Sequence, residues 1–437
     1  MNIETAEKLK IPELGLPRIV IVGGGFAGLN LAKALSSIKA QIVLFDKNNH
    51  HTFQPLLYQV ATSGLESNAI VYPLRKTFWG QHNIYFRMGE VIEIQPEHNT
   101  LFTSIGSLHY DYLVVATGAN TNYFGNEQIP KFAYQLKSIE DAIELRNLII
   151  RNLEQALLTD NQEVLNSLID YVIVGGGPTG VEMAGALAEL KMHVFPHDYK
   201  EIDFKEMDIH LINSSPRLLQ AMSEQASTKA KEFLEKMGVR VSLNQRVLDY
   251  DGELVTLNNG EKIRTKLLIW AAGVEGAPIE GVNDNCYLSG KRLKVNEFNQ
   301  VEGYENIFAI GDVACMMSEE YPKGHPMMAQ PAIQQGKHLA KNLRNLLTNK
   351  PLKAFKYFDK GSMATIGRNK AVADLKSMKL QGFFAWIIWI FVHLMFLIGF
   401  RNRVMVFFNW SISYFNYDKS NRLIIGKPRI KAMKERV

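Results

Sequence analysis

The sequence predicts an α/β protein with two Rossmann-like dinucleotide-binding domains and a C-terminal helical membrane-anchoring region, on three observations. Two apolar runs, residues 19–22 and 171–174, each break into a glycine cluster and then a helical pattern. Each cluster is followed at nearly the same distance by a second apolar run that closes on glycine: 95 positions separate Gly23 from Gly118, and 98 separate Gly175 from Gly273. The third observation is an 18-residue apolar run, 383–400, in which His393 is the one titratable residue. A chain of 437 residues exceeds what one hydrophobic core organises, so more than one domain is required.

Composition removes several classes. With 46% hydrophobic and 21% charged residues the chain is an ordinary globular protein, neither disordered nor fibrous. Its two cysteines, Cys286 and Cys315, form no Cys-x-x-Cys pair, which argues against a disulfide scaffold, a cysteine zinc site or an iron–sulfur cluster, and no metal site is expected. The net charge of +5 is matched by the last 22 residues alone, where Lys419, Arg422, Lys427, Arg429, Lys431, Lys434 and Arg436 face only Asp418 and Glu435. A basic tail of that size gives no case for nucleic-acid binding. Residues 1–17 lack the apolar core of a secretory signal.

In the first copy, Gly23 permits the tight turn, Gly25 lets backbone N–H groups approach a pyrophosphate, and Gly28 lets helix pack on strand. The helix N-terminus adds partial positive charge for the phosphates. The second strand, 41–45, ends at Asp46, placed to bond a ribose hydroxyl. Strand-like alternation follows over 84–99, then an apolar strand ending in Ala116, Thr117 and Gly118. The second copy repeats the plan with Gly175, Gly177, Thr179 and Gly180, alternation over 239–255, and a closing strand that ends in Ala272 and Gly273. It departs from the first at the end of its second strand, where Asn213 stands in place of an acid and Arg217 follows. An amide there offers no repulsion to a 2′-phosphate, so NADH is the first expectation with NADPH admitted. A later buried strand ends in Gly311 and Asp312, a carboxylate suited to a ribityl or sugar hydroxyl of a flavin dinucleotide. The boundaries that follow are 1–125 and 286–350 for a divided FAD-binding domain, 126–285 for an inserted NAD(P)H-binding domain, and 351–437 for the C-terminal region.

These motifs resemble the two-dinucleotide-binding-domain flavoproteins, and within them the type II NADH:quinone oxidoreductases. The segment 51–61 (HTFQPLLYQVA) is similar to the family stretch beside the flavin, which implies Gln54, Pro55 and Leu56 as flavin contacts. The segment 268–274 (LIWAAGV) resembles its nicotinamide-domain signature. The segment 329–335 (AQPAIQQ) resembles an element opening a helix at the quinone end of the flavin, with Gln330 and Gln334 as candidate carbonyl partners, and 361–368 resembles the start of the family's C-terminal region. Without the family, both glutamines read as helix caps or backbone partners. Pro331 marks the first turn of a helix running to about Leu347. Glu182, two residues after Gly180, reads as a carboxylate on the first turn of the second glycine-turn helix, explained by the helix dipole alone. The resemblance places it where nicotinamide meets flavin. His50 and His51 read as structural, since the cofactors carry hydride transfer.

The resemblance implies noncovalent FAD, NADH as donor, a membrane quinone as acceptor and no proton pumping. A homodimer is left open. The run 383–400 would reach roughly 27 Å as one helix, marginal for a bilayer core of about 30 Å. Val404, Phe407, Phe408, Ile412 and Phe415 then lean to one side of a second helix in an interfacial pattern. The expectation is a peripheral, monotopic protein on the cytoplasmic face of the inner membrane, its helices in one leaflet at the lipid bilayer surface. Three alternatives stay open: a sulfide:quinone oxidoreductase using the two cysteines, a soluble ferredoxin reductase, and an NADH-sensing scaffold of the apoptosis-inducing-factor kind.

Overall fold

The computed structural model describes residues 9–376, 378–417, 419 and 421–426. The chain divides into two compact units: Met1–His51, Tyr72–Asn120 and Val274–Asp359 form the first, and Thr52–Val71, Thr121–Gly273 and Lys360–Val437 the second.

The core of the first unit is a five-stranded parallel sheet in the order Ile307–Ala309, Tyr112–Val115, Arg18–Val22, Gln41–Asp46, Ile84–Met88. Its central strands are buried on both faces, which is why Arg18–Val22 reads as a continuous apolar run and not as an alternation. The helix Phe26–Ala34 covers the sheet and packs against Ala329–Leu346. At that crossing a Cβ on Gly336 would lie 2.5 Å from the Ala27 carbonyl oxygen, so the two backbones meet directly. An antiparallel three-stranded sheet, Val91–Gln95, Thr100–Thr103 and Gly106–His109, is inserted before the fourth parallel strand in chain order.

The second unit repeats this plan. Its parallel sheet runs Tyr134–Gln135, Leu267–Trp270, Tyr171–Val174, Ile209–Asn213, Val239–Leu243, the same order with the outer strand supplied from earlier in the chain instead of later. It too carries an antiparallel three-stranded insertion, Val247–Tyr250, Leu254–Leu257 and Lys262–Arg264. The repeat read from the glycine spacing is therefore a repeat of topology. The helix Pro178–His193 follows the glycine turn, and its outer side packs on a C-terminal antiparallel sheet, Ser362–Gly367, Lys370–Leu375 and Met378–Gln381.

The expected C-terminal membrane-anchoring region is corrected here: among the described residues no helix is long and apolar enough to cross a membrane. The run 383–400 is not one helix. Phe383–Phe396 ends after 14 residues, about 21 Å, because Leu397 turns extended (ψ 136°) and Gly399 takes φ +88°. The second helix, Phe400–Asn416, carries Arg401, Asn402, Arg403 and Asn409. The first helix buries Ala385 and Trp389, Ala385 packing against Ala371 and Ala373 of the sheet, and both residues are within 2% of full burial. Of the basic tail, Lys419 lies 3.5 Å from Glu189 and Arg422 lies 2.6 Å from Asp198, so both face protein carboxylates. Lys427, Arg429, Lys431, Lys434 and Arg436 lie outside the described residues.

The seat of the C-terminal sheet is Gly185, where an added Cβ would stand 1.8 Å from the backbone oxygen of Ile366. Backbone cannot rotate away as a side chain can. Gly185→Ala is expected to cost about 1–3 kcal/mol by overpacking, read as a Tm several degrees lower in thermal unfolding, and an unchanged Tm would contradict this packing.

Candidate active site

Both glycine turns are built by the same contacts. In the first, Gly23 takes φ +108°, and a Cβ there would sit 2.3 Å from the Ala116 carbonyl oxygen, so only glycine lets the turn close on the neighbouring strand. A Cβ on Gly28 would sit 1.9 Å from the Gly23 oxygen. Gly25, the N-cap of Phe26–Ala34, has no heavy atom within 4 Å of that position and opens onto free space. The Gly24 N–H donates to Asp46 Oδ2 at 2.6 Å and the Asn48 N–H to Asp46 Oδ1 at 2.7 Å. Burial pushes the Asp46 carboxyl up, and these two backbone donors hold it down.

In the second turn Gly175 takes φ +117° with its Cβ position 2.4 Å from the Ala271 oxygen, a Cβ on Gly180 would sit 1.9 Å from the Gly175 oxygen, and Gly177 caps the helix with open space before it. Asn213 plays the part of Asp46, accepting the Gly176 N–H on Oδ1 at 3.1 Å. Its amide donates to the Ser215 and Arg217 carbonyls at 3.2 and 3.0 Å. The Arg217 guanidinium is engaged as well, donating to the Met222 and Gln220 oxygens at 2.8 Å each. Thr179 is exposed on the first turn of the helix. Gly273 faces the ring of Phe124, 2.7 Å from an added Cβ, directly after Ala272.

A turn whose first and last glycines bar a Cβ, while the glycine at the helix N-terminus faces open space, is the surface a pyrophosphate needs. Two such cradles, each with a polar residue closing the second strand, fit two dinucleotides. In the first unit Thr117 Oγ1 donates to the Ala277 oxygen at 2.6 Å, and the Gly118 oxygen accepts the Ala277 N–H. Gly311 takes φ +77° and begins the single turn that presents Asp312.

The glutamines divide in a way the sequence did not show. Gln330 is half-buried near the start of Ala329–Leu346. Gln334 pairs both amide atoms with the backbone of Phe358, at 2.9 and 3.0 Å. It is Gln335, 1% exposed, whose Oε1 accepts the Gly311 N–H at 2.7 Å. The signal for it was a polar residue between Ala332 and Leu339 on the buried helix face. His51 is buried, its Nδ1 lies 3.0 Å from the Gly24 carbonyl oxygen, and burial pushes it down to about 4, so it is neutral. Both cysteines are buried, Cys286 against the Glu302 carbonyl and Cys315 against that of Lys323.

Glu182 is the fifth residue of Pro178–His193, beyond the first turn, and is buried. Its Oε1 accepts the Thr365 N–H of the C-terminal sheet at 3.3 Å. It lines a cavity of the second unit with Tyr58, Gln59, Arg368, Trp389 and Trp410. Trp410 Nε1 donates to Gln59 Oε1 at 2.7 Å, and Gln59 Nε2 donates to the Tyr58 hydroxyl at 2.9 Å. Burial drives the Glu182 carboxyl up to about 8, opposed by the Thr365 N–H and by the Trp389 indole, which lies near it without a hydrogen bond of good geometry. Gln54, Pro55 and Leu56 lie in a short 3-10 turn of this unit, where Gln54 Nε2 reaches the Lys137 oxygen at 3.3 Å.

The model of the pyridine nucleotide-disulphide oxidoreductase family matches residues 17–336, and that of the NDH2 C-terminal domain matches 360–416. The type II NADH:quinone oxidoreductases NdhA and Ndh of Mycobacterium tuberculosis are 37% and 35% identical, over 92% and 91% of this chain and 87% and 88% of their own. The structure of NDH2 from Plasmodium falciparum with NADH superimposes with a TM-score of 0.84 at 24% identity, over 94% of this chain and all of that one, a likeness of fold.

A carboxyl that keeps its proton to about 8 when folded, against an ordinary 4.5, makes the folded state bind a proton the unfolded chain has lost throughout that window. Raising pH across it therefore lowers stability. Glu182→Gln can still accept the Thr365 N–H, so its Tm relative to the parent is expected to rise from pH 5 to pH 8 and level off above. Thermal scans giving a pH-independent difference would refute a neutral Glu182.

Proposed function

This chain belongs to the type II NADH:quinone oxidoreductases, within the pyridine nucleotide-disulphide oxidoreductase family, and we propose that FAD occupies its first glycine cradle and NADH its second. The enzyme oxidises NADH and passes the electrons to a membrane quinone. The observation that carries the reading is the pair of glycine turns, each shut against its own strand and open at its helix N-terminus. FAD, when bound, supplies the chemistry, taking up two electrons as hydride from NADH and releasing them to the quinone.

The chain's own residues bind and orient. The N–H groups around Gly25 and Gly177 receive the pyrophosphates, and Asp46 and Asp312 take hydroxyls of the flavin dinucleotide. Thr117 and Gly118 brace the chain beside the first cradle. Ala272 and Gly273 line the second, with Thr179 at its mouth. Pinning by two backbone carbonyls commits the Arg217 guanidinium to the chain itself and away from a 2′-phosphate, which favours NADH over NADPH. Gln330 is the glutamine of its helix available to a carbonyl oxygen, since Gln334 holds Phe358. Glu182, neutral at pH 7, positions a ligand of the aromatic cavity as a hydrogen-bond donor.

The two C-terminal helices leave Phe384, Phe391, Phe400 and Phe415 between 62% and 84% exposed. That surface supports peripheral contact with lipid, from which a lipophilic quinone would come. Phe384→Ser with Phe391→Ser is expected to reduce co-flotation with liposomes. Unaltered flotation, or loss of a dimer in place of flotation, would overturn the lipid assignment.

Purified protein should show a flavin spectrum that NADH bleaches faster than NADPH and that a short-chain quinone restores. Protein that remains colourless after incubation with FAD, or a flavin that NADH leaves oxidised, would end the proposal.

A further inference from the structure

We propose that Arg292 is a positioning residue for the flavin: it fixes the backbone of the Gly311–Asp312 turn and ties that turn to the loop entering the helix Ala329–Leu346. The inference rests on the assignment of FAD to the first cradle and adds a residue to which no role has been given.

Arg292 opens the strand Arg292–Val295, which pairs in parallel with Ala314–Met316 just past the turn. Its side chain is half-buried, and all four of its acceptors are backbone carbonyls. Nε donates to Asp312 at 3.1 Å, Nη2 to Ala314 at 2.5 Å and His325 at 3.0 Å, and Nη1 to Lys323 at 3.3 Å. Two acceptors belong to the turn and the strand it feeds. The other two belong to the loop that leads into the helix. From that helix Gln335 returns to accept the Gly311 N–H at 2.7 Å, closing a ring of contacts around the turn.

The turn needs such bracing. It is a single 3-10 turn, and Gly311 holds φ +77°, a conformation that its own short helix does not secure. The loop is shaped to meet the guanidinium: Gly324 has φ +77°, and a Cβ on it would lie 2.6 Å from Cys315 Sγ and 3.3 Å from Arg292 Nη1. If the site required only filled space, an apolar side chain would avoid the cost of desolvating a cation. What the guanidinium adds is five donors in one rigid plane, aimed at carbonyls from two segments. The Asp312 carboxylate, which would meet a flavin hydroxyl, takes its position from the backbone that this fan and Gln335 hold.

The test uses full-length protein stripped of flavin and titrated with FAD. Arg292→Lys keeps the charge but replaces the fork with a point donor. FAD Kd is expected to rise about tenfold, the scale of one lost hydrogen bond to a charged group, while NADH affinity of the same apoprotein stays at the parent value. The visible circular dichroism of the rebound flavin should also change, which a general loss of stability would not produce without a matching loss of NADH binding. Parent-like FAD affinity and dichroism in Arg292→Lys would overturn the inference. Should Arg292→Lys lower NADH affinity too, Gln335→Met approaches the turn from its other side: weakened FAD binding there supports the brace, and parent-like binding overturns it. Parent apoprotein that takes up no FAD would instead overturn the cofactor assignment on which the inference stands.

Discussion

In each glycine turn the helix comes so near its own preceding loop that a Cβ on the last glycine, Gly28 or Gly180, would stand 1.9 Å from the carbonyl oxygen of the first. This approach sets the helix axis against the sheet, and through it the direction in which free N–H groups at the helix start point. On its outer side each of these helices is covered by an element added later in the chain. In the first unit the addition is the helix Ala329–Leu346, meeting Ala27 through Gly336. In the second it is the C-terminal sheet, meeting Gly185 through Ile366. Close backbone contact is thus used twice on each nucleotide helix, once toward its turn and once toward its cover.

The two cradles also show how one geometry tolerates different charge. Asp46 and Asn213 both accept the N–H of the middle glycine, so the bond that locks strand to turn needs an oxygen and not a charge. Aspartate has both oxygens left as acceptors and takes a second backbone N–H from Asn48. Asparagine uses its amide to donate to Ser215 and Arg217, and so folds the following loop over the strand end. The substitution redirects the loop, and the redirected loop immobilises Arg217.

The features legible in the sequence were those set by local sterics. Glycine clusters after apolar runs gave away both cradles, because a left-handed φ and a barred Cβ leave little choice of residue. Nearly equal spacing exposed the shared topology, while the antiparallel insertions showed only as strand-like alternation over 84–99 and 239–255. Long-range polar contacts were not legible. Gln334 and Gln335 are neighbours of identical chemistry, and only helix phase separates the one that holds Phe358 from the one that holds Gly311. Nothing local marks Arg292, whose acceptors lie 20 to 33 positions away. Glu182 read as a first-turn carboxylate near the helix dipole, yet its side chain follows the helix face toward Thr365, a partner 183 positions on.

The C-terminal region was misread as a membrane-anchoring one for a related reason. Apolarity summed over 383–400 measures transfer to hydrocarbon and is blind to a break in the hydrogen-bond ladder, although Gly399 inside the run was a visible breaker. Once the run is divided, burial of Ala385 and Trp389 against protein gives the first helix a structural task of its own, beneath the aromatic cavity that contains Glu182. Lys419 reinforces that task. It is buried opposite Glu189 on the nucleotide helix, and removing either partner would leave an uncompensated charge inside the unit. The basic C-terminal segment therefore begins as part of the wall that closes the second unit. Among the described residues, the side chains placed for any contact with lipid are the outward aromatic ones of the two helices, which the fold already holds in place.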